Sequence, residues 1–326
     1  MSRIFGRCQA GWILVLCFFF PAISWGQIAS MPSVNVSFSE EGTSSWFSLG
    51  ISTLVEFGDM TYSIKGKQDG GWKSELEWPL DGTLYLGGVG SLRLFEQLTL
   101  NVGGWTSVYD KTGTMKDSDW LYGYYGSRKA IYSESDSNVE GTHFDLNVRY
   151  DIVRSNNVMA FGVLLGYSYT QWDWTSKNGE QWTIDPEEYF QGSLSGKGMT
   201  YQQKIGVPYA GIAFSSSIPN SVIDMNAYGL FSPWATCDDE DDHLLREKLS
   251  NGESDGMFWA LGGDLRWHIT PNWSASLLAN YSAYDLEGKQ TQYFYGGENA
   301  GLGAKGIDLS IEGSQFYFGA TAGLTF

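Results

Sequence analysis

Apolar and polar residues alternate one by one along segment after segment of this chain, and no other feature restricts its fold so tightly. From Phe144, the apolar Leu146, Val148 and Tyr150 interleave with Asp145, Asn147 and Arg149. From Trp259, Leu261, Leu265, Trp267 and Ile269 interleave with Asp264, Arg266 and His268. The last stretch places Phe316, Phe318, Ala320, Ala322, Leu324 and Phe326 on one face. Successive side chains of a strand point to opposite faces, so a period of two marks a strand with one apolar and one polar side. Aromatics on one face and charge on the other, repeated strand after strand, is the pattern of a transmembrane β-barrel. A soluble β-sandwich is the competing reading.

The N-terminus bears on that choice. Arg3 and Arg7 precede an apolar run from Trp12 to Phe20, and Ser24-Trp25-Gly26 offers a small-x-small cleavage site. Residues 1–26 therefore read as a secretory signal peptide, leaving 27–326 as one outer-membrane barrel domain. The remainder contains no apolar run long enough for a spanning helix. Cys8 and Cys17 leave with the signal peptide, so Cys237 stands alone and neither a disulfide nor a cysteine-based zinc or redox site is expected.

Turn signals set the topology. Short turns fall at Phe95-Glu96-Gln97, Arg154-Ser155-Asn156-Asn157, Ile218-Pro219-Asn220 and Thr270-Pro271-Asn272, and longer polar stretches at 66–71, 111–141, 175–198, 238–255 and 288–313. Their strict alternation predicts an all-β fold: a ten-stranded antiparallel transmembrane β-barrel with long extracellular loops and both termini on the periplasmic side. The expected strands are 44–65, 72–94, 98–110, 141–153, 158–174, 199–217, 222–237, 255–269, 273–287 and 313–326.

Two acidic motifs lie on the extracellular side of this plan: Asp117-Ser118-Asp119-Trp120 after the third strand, and Asp241-Asp242-His243 after the seventh. In extended backbone, residues i and i+2 share a face. Strands four apart in a ring of ten lie nearly opposite, so the two pairs are expected to face each other over the barrel mouth. An Asp/His pair facing an Asp/Asp pair can activate water and stabilise a tetrahedral intermediate without a nucleophilic Ser or Cys.

At these residues the chain resembles the omptins, ten-stranded outer-membrane endopeptidases. The resemblance runs through nearly the whole expected mature chain, including Ser48-Leu49-Gly50, Gly104-Trp105-Thr106 and Val207-Pro208-Tyr209-Ala210-Gly211. It is strongest at Met115-Lys116-Asp117-Ser118-Asp119-Trp120 and at Asp239-Glu240-Asp241-Asp242-His243. It implies a bacterial outer-membrane protease whose active site faces outward, with Asp117, Asp119, Asp241 and His243 as catalytic residues. His243 takes a proton from water, Asp241 orients the imidazole, and Asp117 and Asp119 hold the water or the oxyanion. Two such close carboxylates resist double ionisation.

The resemblance also implies an acidic pocket for a basic side chain next to the cut bond. Asp239 matches one member, and Asp59, or alternatively Glu56, falls near the other. The charge agrees: removing two arginines and no acid with the signal peptide takes the formal −17 to −19. That field attracts cationic peptide or protein substrates and gives no footprint for nucleic acid. The other expected partner is outer-membrane lipid, and the barrel is expected to act as a monomer without a cofactor. Omptins are activated by lipopolysaccharide through an external basic cluster. Here Tyr167 is kept, Tyr169 and Gln171 replace an acid and an Arg, and Lys204 stands for another Arg, a poor match to that cluster.

Blander readings of the same residues exist. An acidic run such as 238–242, taken alone, is most often a solvated loop, with calcium binding next. His143 and His268 read as lumen-lining residues without chemistry. A catalytically silent barrel serving as adhesin or receptor is the second functional reading, and a small pore the third, because side chains can largely fill a ten-stranded lumen.

Overall fold

The computed structural model describes residues 46–155, 158–183, 191–218 and 221–326. The expected signal peptide and the first residues of the barrel domain lie outside them. Among the described residues there are twelve strands: β1 Phe47–Gly66, β2 Trp72–Pro79, β3 Thr83–Phe95, β4 Leu98–Tyr109, β5 Gly113–Leu121, β6 Lys129–Ser155, β7 Met159–Thr183, β8 Gln191–Ser217, β9 Ile223–His243, β10 Lys248–His268, β11 Trp273–Phe294 and β12 Gly303–Thr325. All pairings are antiparallel, and β12 closes onto β1 from Ser48↔Thr325 to Lys65↔Asp308.

These twelve strands occupy ten ring positions. Low in the barrel β1 pairs with β3 and β4 pairs with β6; higher up β2 and β5 take those places. The expected strand 72–94 is thus one ring position, interrupted after Pro79 by a turn in which Gly82 has φ +78°. Its amide still bonds the Glu56 carbonyl of β1, at 2.8 Å. The third position breaks likewise at 110–112 and resumes as β5.

The long extracellular loops are corrected by the structure. Most of residues 111–141, 175–183, 191–198, 238–255 and 288–313 is strand, and the connections shrink to segments such as 122–128, 244–247 and 295–302. Residues 184–190 lie outside the described residues. The cause is the solvent around the wall. Beside lipid, a barrel's outward face must be apolar, so alternation is visible; above the lipid the outward face meets water and admits polar residues, while the buried inward face mixes apolar side chains such as Met115 and Ile311 with polar ones such as Asp241 and Ser250, and the alternation fades.

Burial shows that change directly. On β10, Trp267, Leu265, Leu261, Trp259 and Met257 are exposed on the outer face, and the next outward residues are Asp255 and Glu253. On β9, Ile223, Met225, Phe231 and Trp234 give way to Asp238 and Glu240. An exposed apolar band with aromatics at its edges is what a bilayer covers.

Side chains fill the lumen. Low down, Asn101 donates to Asn147 (2.8 Å), and Asn147 and Tyr209 both donate to Asp145 (2.7 Å each). Arg149 joins Asp151 (2.6 Å) and Ser215 (2.8 Å). Above them His143 is enclosed by Tyr85, Trp172 and Tyr317, with Glu56 bonded by Tyr85. Higher still Trp78, Trp174 and Tyr201 stack at centroid spacings of 5.4–5.9 Å and form a floor beneath the mouth. His268 sits at the other end, 2.7 Å from Asp224.

Candidate active site

Because β9 continues past Cys237, its alternation now sorts the acidic run. Asp239, Asp241 and His243 turn inward and are buried, whereas Asp238 and Glu240 face outward and are exposed. Asp242 also faces outward, accepting a bond from the Tyr295 hydroxyl at 2.9 Å. His243 Nε2 lies 2.8 Å from Asp241 Oδ2, with the two side chains 10% and 2% exposed. When Nε2 carries the proton that Asp241 accepts, Nδ1 holds the lone pair of a base. The second oxygen of Asp241 is buried without a hydrogen-bond partner.

On β5 the same alternation turns Met115, Asp117 and Asp119 toward the lumen. Trp120 faces outward, where the Lys73 and Lys129 ammonium groups lie 5.2 and 5.4 Å from its ring centre. The tryptophan of this motif therefore braces the outer wall and does not line the site. Asp117 Oδ1 is sealed from solvent and unpartnered. Burial, followed by the Asp119 charge, pushes Asp117 up to about 7; Asp241 adds to the rise, and Arg246 and Lys248 oppose it. Asp241 thus acts electrostatically on Asp117 from a strand four ring positions away, so the two pairs share one space.

Asp239 lies two residues below Asp241 on the inner wall. It is 5% exposed, and neither carboxylate oxygen has a hydrogen-bond partner. Burial, then Asp241 and Asp238, raises its pKa to about 8. Its cross-strand neighbour is Gly252, where an added Cβ would meet Asp239 Oδ2 at 2.2 Å. The glycine is the space in which the carboxylate lies. Tyr62 and Tyr201 are close enough to feel the Asp239 charge, and their rings meet edge to face at 5.2 Å.

The remaining expected residue is not brought to this place. Asp59 points outward and is exposed, in the company of Glu77, Asp81 and Lys116. Inward positions on β1 are instead Met60 and Tyr62, both buried. The one-residue offset is decisive because neighbours on a strand face opposite sides. Glu56 does point inward, but it bonds Tyr85 and lies near His143 among the aromatics below. Lys248, Tyr62, Tyr201 and Gly252 went unnoticed in the sequence. Continuing the i, i+2 count through 199–203 and 248–254 would have found three of them.

Residues 43–319 match the profile of the Omptin family. The chain is similar to the plasminogen activator of Yersinia pestis, 28% identical over 291 residues, covering 86% of this chain and 89% of that protein. It is similar to protease 7 of Escherichia coli (strain K12), 22% identical over 265 residues, with 76% and 81% covered. The crystal structure of the outer membrane protease OmpT from Escherichia coli superposes with a TM-score of 0.77 at 20% identity, covering 89% of this chain and all of that one. Barrel closure, the lipid-facing band and a match over most of the length lead to one assignment: this chain belongs to the omptin family of outer-membrane proteases.

Proposed function

We propose that this protein hydrolyses peptide bonds next to basic residues at the outer surface of the outer membrane, with water as the nucleophile. The observation that carries the reading is the buried His243–Asp241 contact of 2.8 Å, set in electrostatic reach of Asp117 across the barrel mouth. His243 takes a proton from water as the water oxygen attacks the carbonyl carbon, and Asp241 supports the imidazolium. Asp117 and Asp119 orient the water and share a proton, as two close carboxylates favour. Collapse of the tetrahedral intermediate breaks the C–N bond, and His243 returns its proton to the leaving amine. No acyl-enzyme forms.

Asp239 supports the preference for a basic side chain, because two buried carboxylate oxygens without donors are what a guanidinium or ammonium group satisfies. The substrates are therefore cationic peptides or proteins, and the barrel acts on them as a monomer. Activity needs no cofactor. Lipopolysaccharide dependence is weak, because the external positions Gln171 and Lys204 pair with each other and are flanked by the acids Asp173 and Asp238.

The test is cleavage of arginine- and lysine-containing peptides by purified protein in micelles, with and without lipopolysaccharide, serine- or cysteine-directed inhibitors, and chelators. Activity is expected to survive each inhibitor and chelator. His243→Ala should remove nearly all of it, and Asp241→Asn much of it, in line with the roughly hundred- to ten-thousand-fold effect of a general base. Asp117→Ala and Asp119→Ala should be severe and Asp242→Ala mild. A dead Asp242→Ala beside an active Asp241→Ala would show that the dyad is misassigned, and an intact barrel that cleaves nothing would favour the adhesin reading.

A further inference from the structure

Lys248 opens β10 and is the direct cross-strand partner of His243. The residue is 9% exposed, and burial alone would drive its ammonium toward the neutral form. Asp241 from β9 and Asp117 and Asp119 from β5 act the other way, while Arg246, on the 244–247 connection, opposes them. Its influence is returned, since Lys248 and Arg246 are the two cations that lower Asp117. Arg246 is exposed, whereas Lys248 is enclosed with the carboxylates. It forms no salt bridge with any acid among the described residues.

Four inward carboxylates, Asp117, Asp119, Asp239 and Asp241, crowd one mouth. Without an internal cation they would resist ionisation together, and a site that must hold a carboxylate against a basic imidazole would start to work only at higher pH. Resting on the endopeptidase reading, we propose that Lys248 is a positioning residue of this site: its buried ammonium, opposite His243, offsets the two acidic pairs and sets the pH range in which they activate water. The same charge competes with the basic side chain of a substrate for the negative field of the mouth. Lys248 therefore gives up some affinity for cationic substrates in exchange for turnover at neutral pH.

The two consequences separate in kinetics. Lys248→Met keeps the length and removes the charge. With an arginine-containing peptide it should lower kcat at neutral pH, lower KM, and move the acid limb of the pH profile of kcat/KM upward by roughly one unit. Lys248→Arg should restore the limb. Lys289→Met removes an exposed lysine paired with Asp308 and should leave the profile unchanged. An acid limb in Lys248→Met that coincides with the wild type overturns the proposal, and so does a shift that Lys248→Arg fails to reverse, since shape and not charge would then be at work. Should Lys248→Met not give a heat-modifiable, folded barrel, Lys248→Gln takes its place. A readout independent of catalysis is the carboxyl resonance of Asp117 in protein carrying 13C-labelled aspartate: its titration midpoint should rise when Lys248 loses its charge. If the wild type cleaves no peptide, the endopeptidase reading has failed, and this titration still decides whether Lys248 offsets the acids.

Discussion

Replacing Asp239 by Asn should make the barrel more stable and the pocket less selective, and the stability gain should grow with pH in a calculable way. The buried carboxyl is raised from 3.8 to about 8. In the unfolded chain it ionises near its ordinary value, so above about pH 4 unfolding releases a proton that the folded state retains. A folded-state pKa above the unfolded one contributes stability that is complete below the unfolded value and is lost as pH rises through the folded value. The loss runs at about 1.4 kcal/mol per pH unit, or about 4 kcal/mol between about pH 5 and pH 8. Asn does not titrate. Its own unpaired amide costs about 1–3 kcal/mol, but equally at every pH, and cancels from the trend. The gap in Tm between Asp239→Asn and wild type should therefore widen by roughly 8 °C from about pH 5 to pH 8, at roughly 2 °C per kcal/mol for a chain of this size. Thermal melts in micelles followed by tryptophan fluorescence measure it. On the functional side, cleavage beside Arg should fall roughly ten- to a hundred-fold, the value of a hydrogen bond to a charged group, while peptides with a neutral residue there should change little. A Tm gap that stays constant with pH, or equal loss for both peptide classes, would refute the reasoning.

Two other outcomes are expected. Gly252→Ala places a methyl group 2.2 Å from Asp239 Oδ2 and 2.6 Å from Leu309, so it should push the carboxylate aside, cost about 1–3 kcal/mol of stability and reduce selection for Arg more than it reduces kcat; peptide panels and melts on one preparation measure both. The KM for an arginine-containing peptide should fall as pH rises from about 6 to about 9, because Asp239 must give up its proton to bind a cation, and Asp239→Asn should abolish that trend.

The fold was legible wherever lipid imposes a rule. Beside the bilayer one face of each strand must be apolar, so the number of ring positions could be counted from alternation, and the turns at 95–97 and 270–272 read from their residues, whereas 156–157 and 219–220 lie outside the described residues. Phe326 bonds the Phe47 carbonyl at 2.9 Å. The pairing of Asp241 with His243 was equally readable, because two residues at i and i+2 of a strand share a face whatever surrounds them. Beyond the membrane that rule lapses. Water wets the outer side of the wall, so charged residues are admitted there as well as on the buried inner side, and strands such as 238–243 and 248–254 carry no alternation of apolar with polar, so they read as loops.

Tertiary structure decided the rest through register and closure. Whether Asp59 or Met60 faces the lumen depends on a single residue of phase along β1, and nothing in the composition of that segment settles it. That Lys248 lies opposite His243 follows from the four-residue connection between β9 and β10. That Asp117 feels Asp241, and that Asp239 is left buried without a donor, are facts of a closed ring: they arise only when strands far apart in sequence are brought to face one another across a filled lumen.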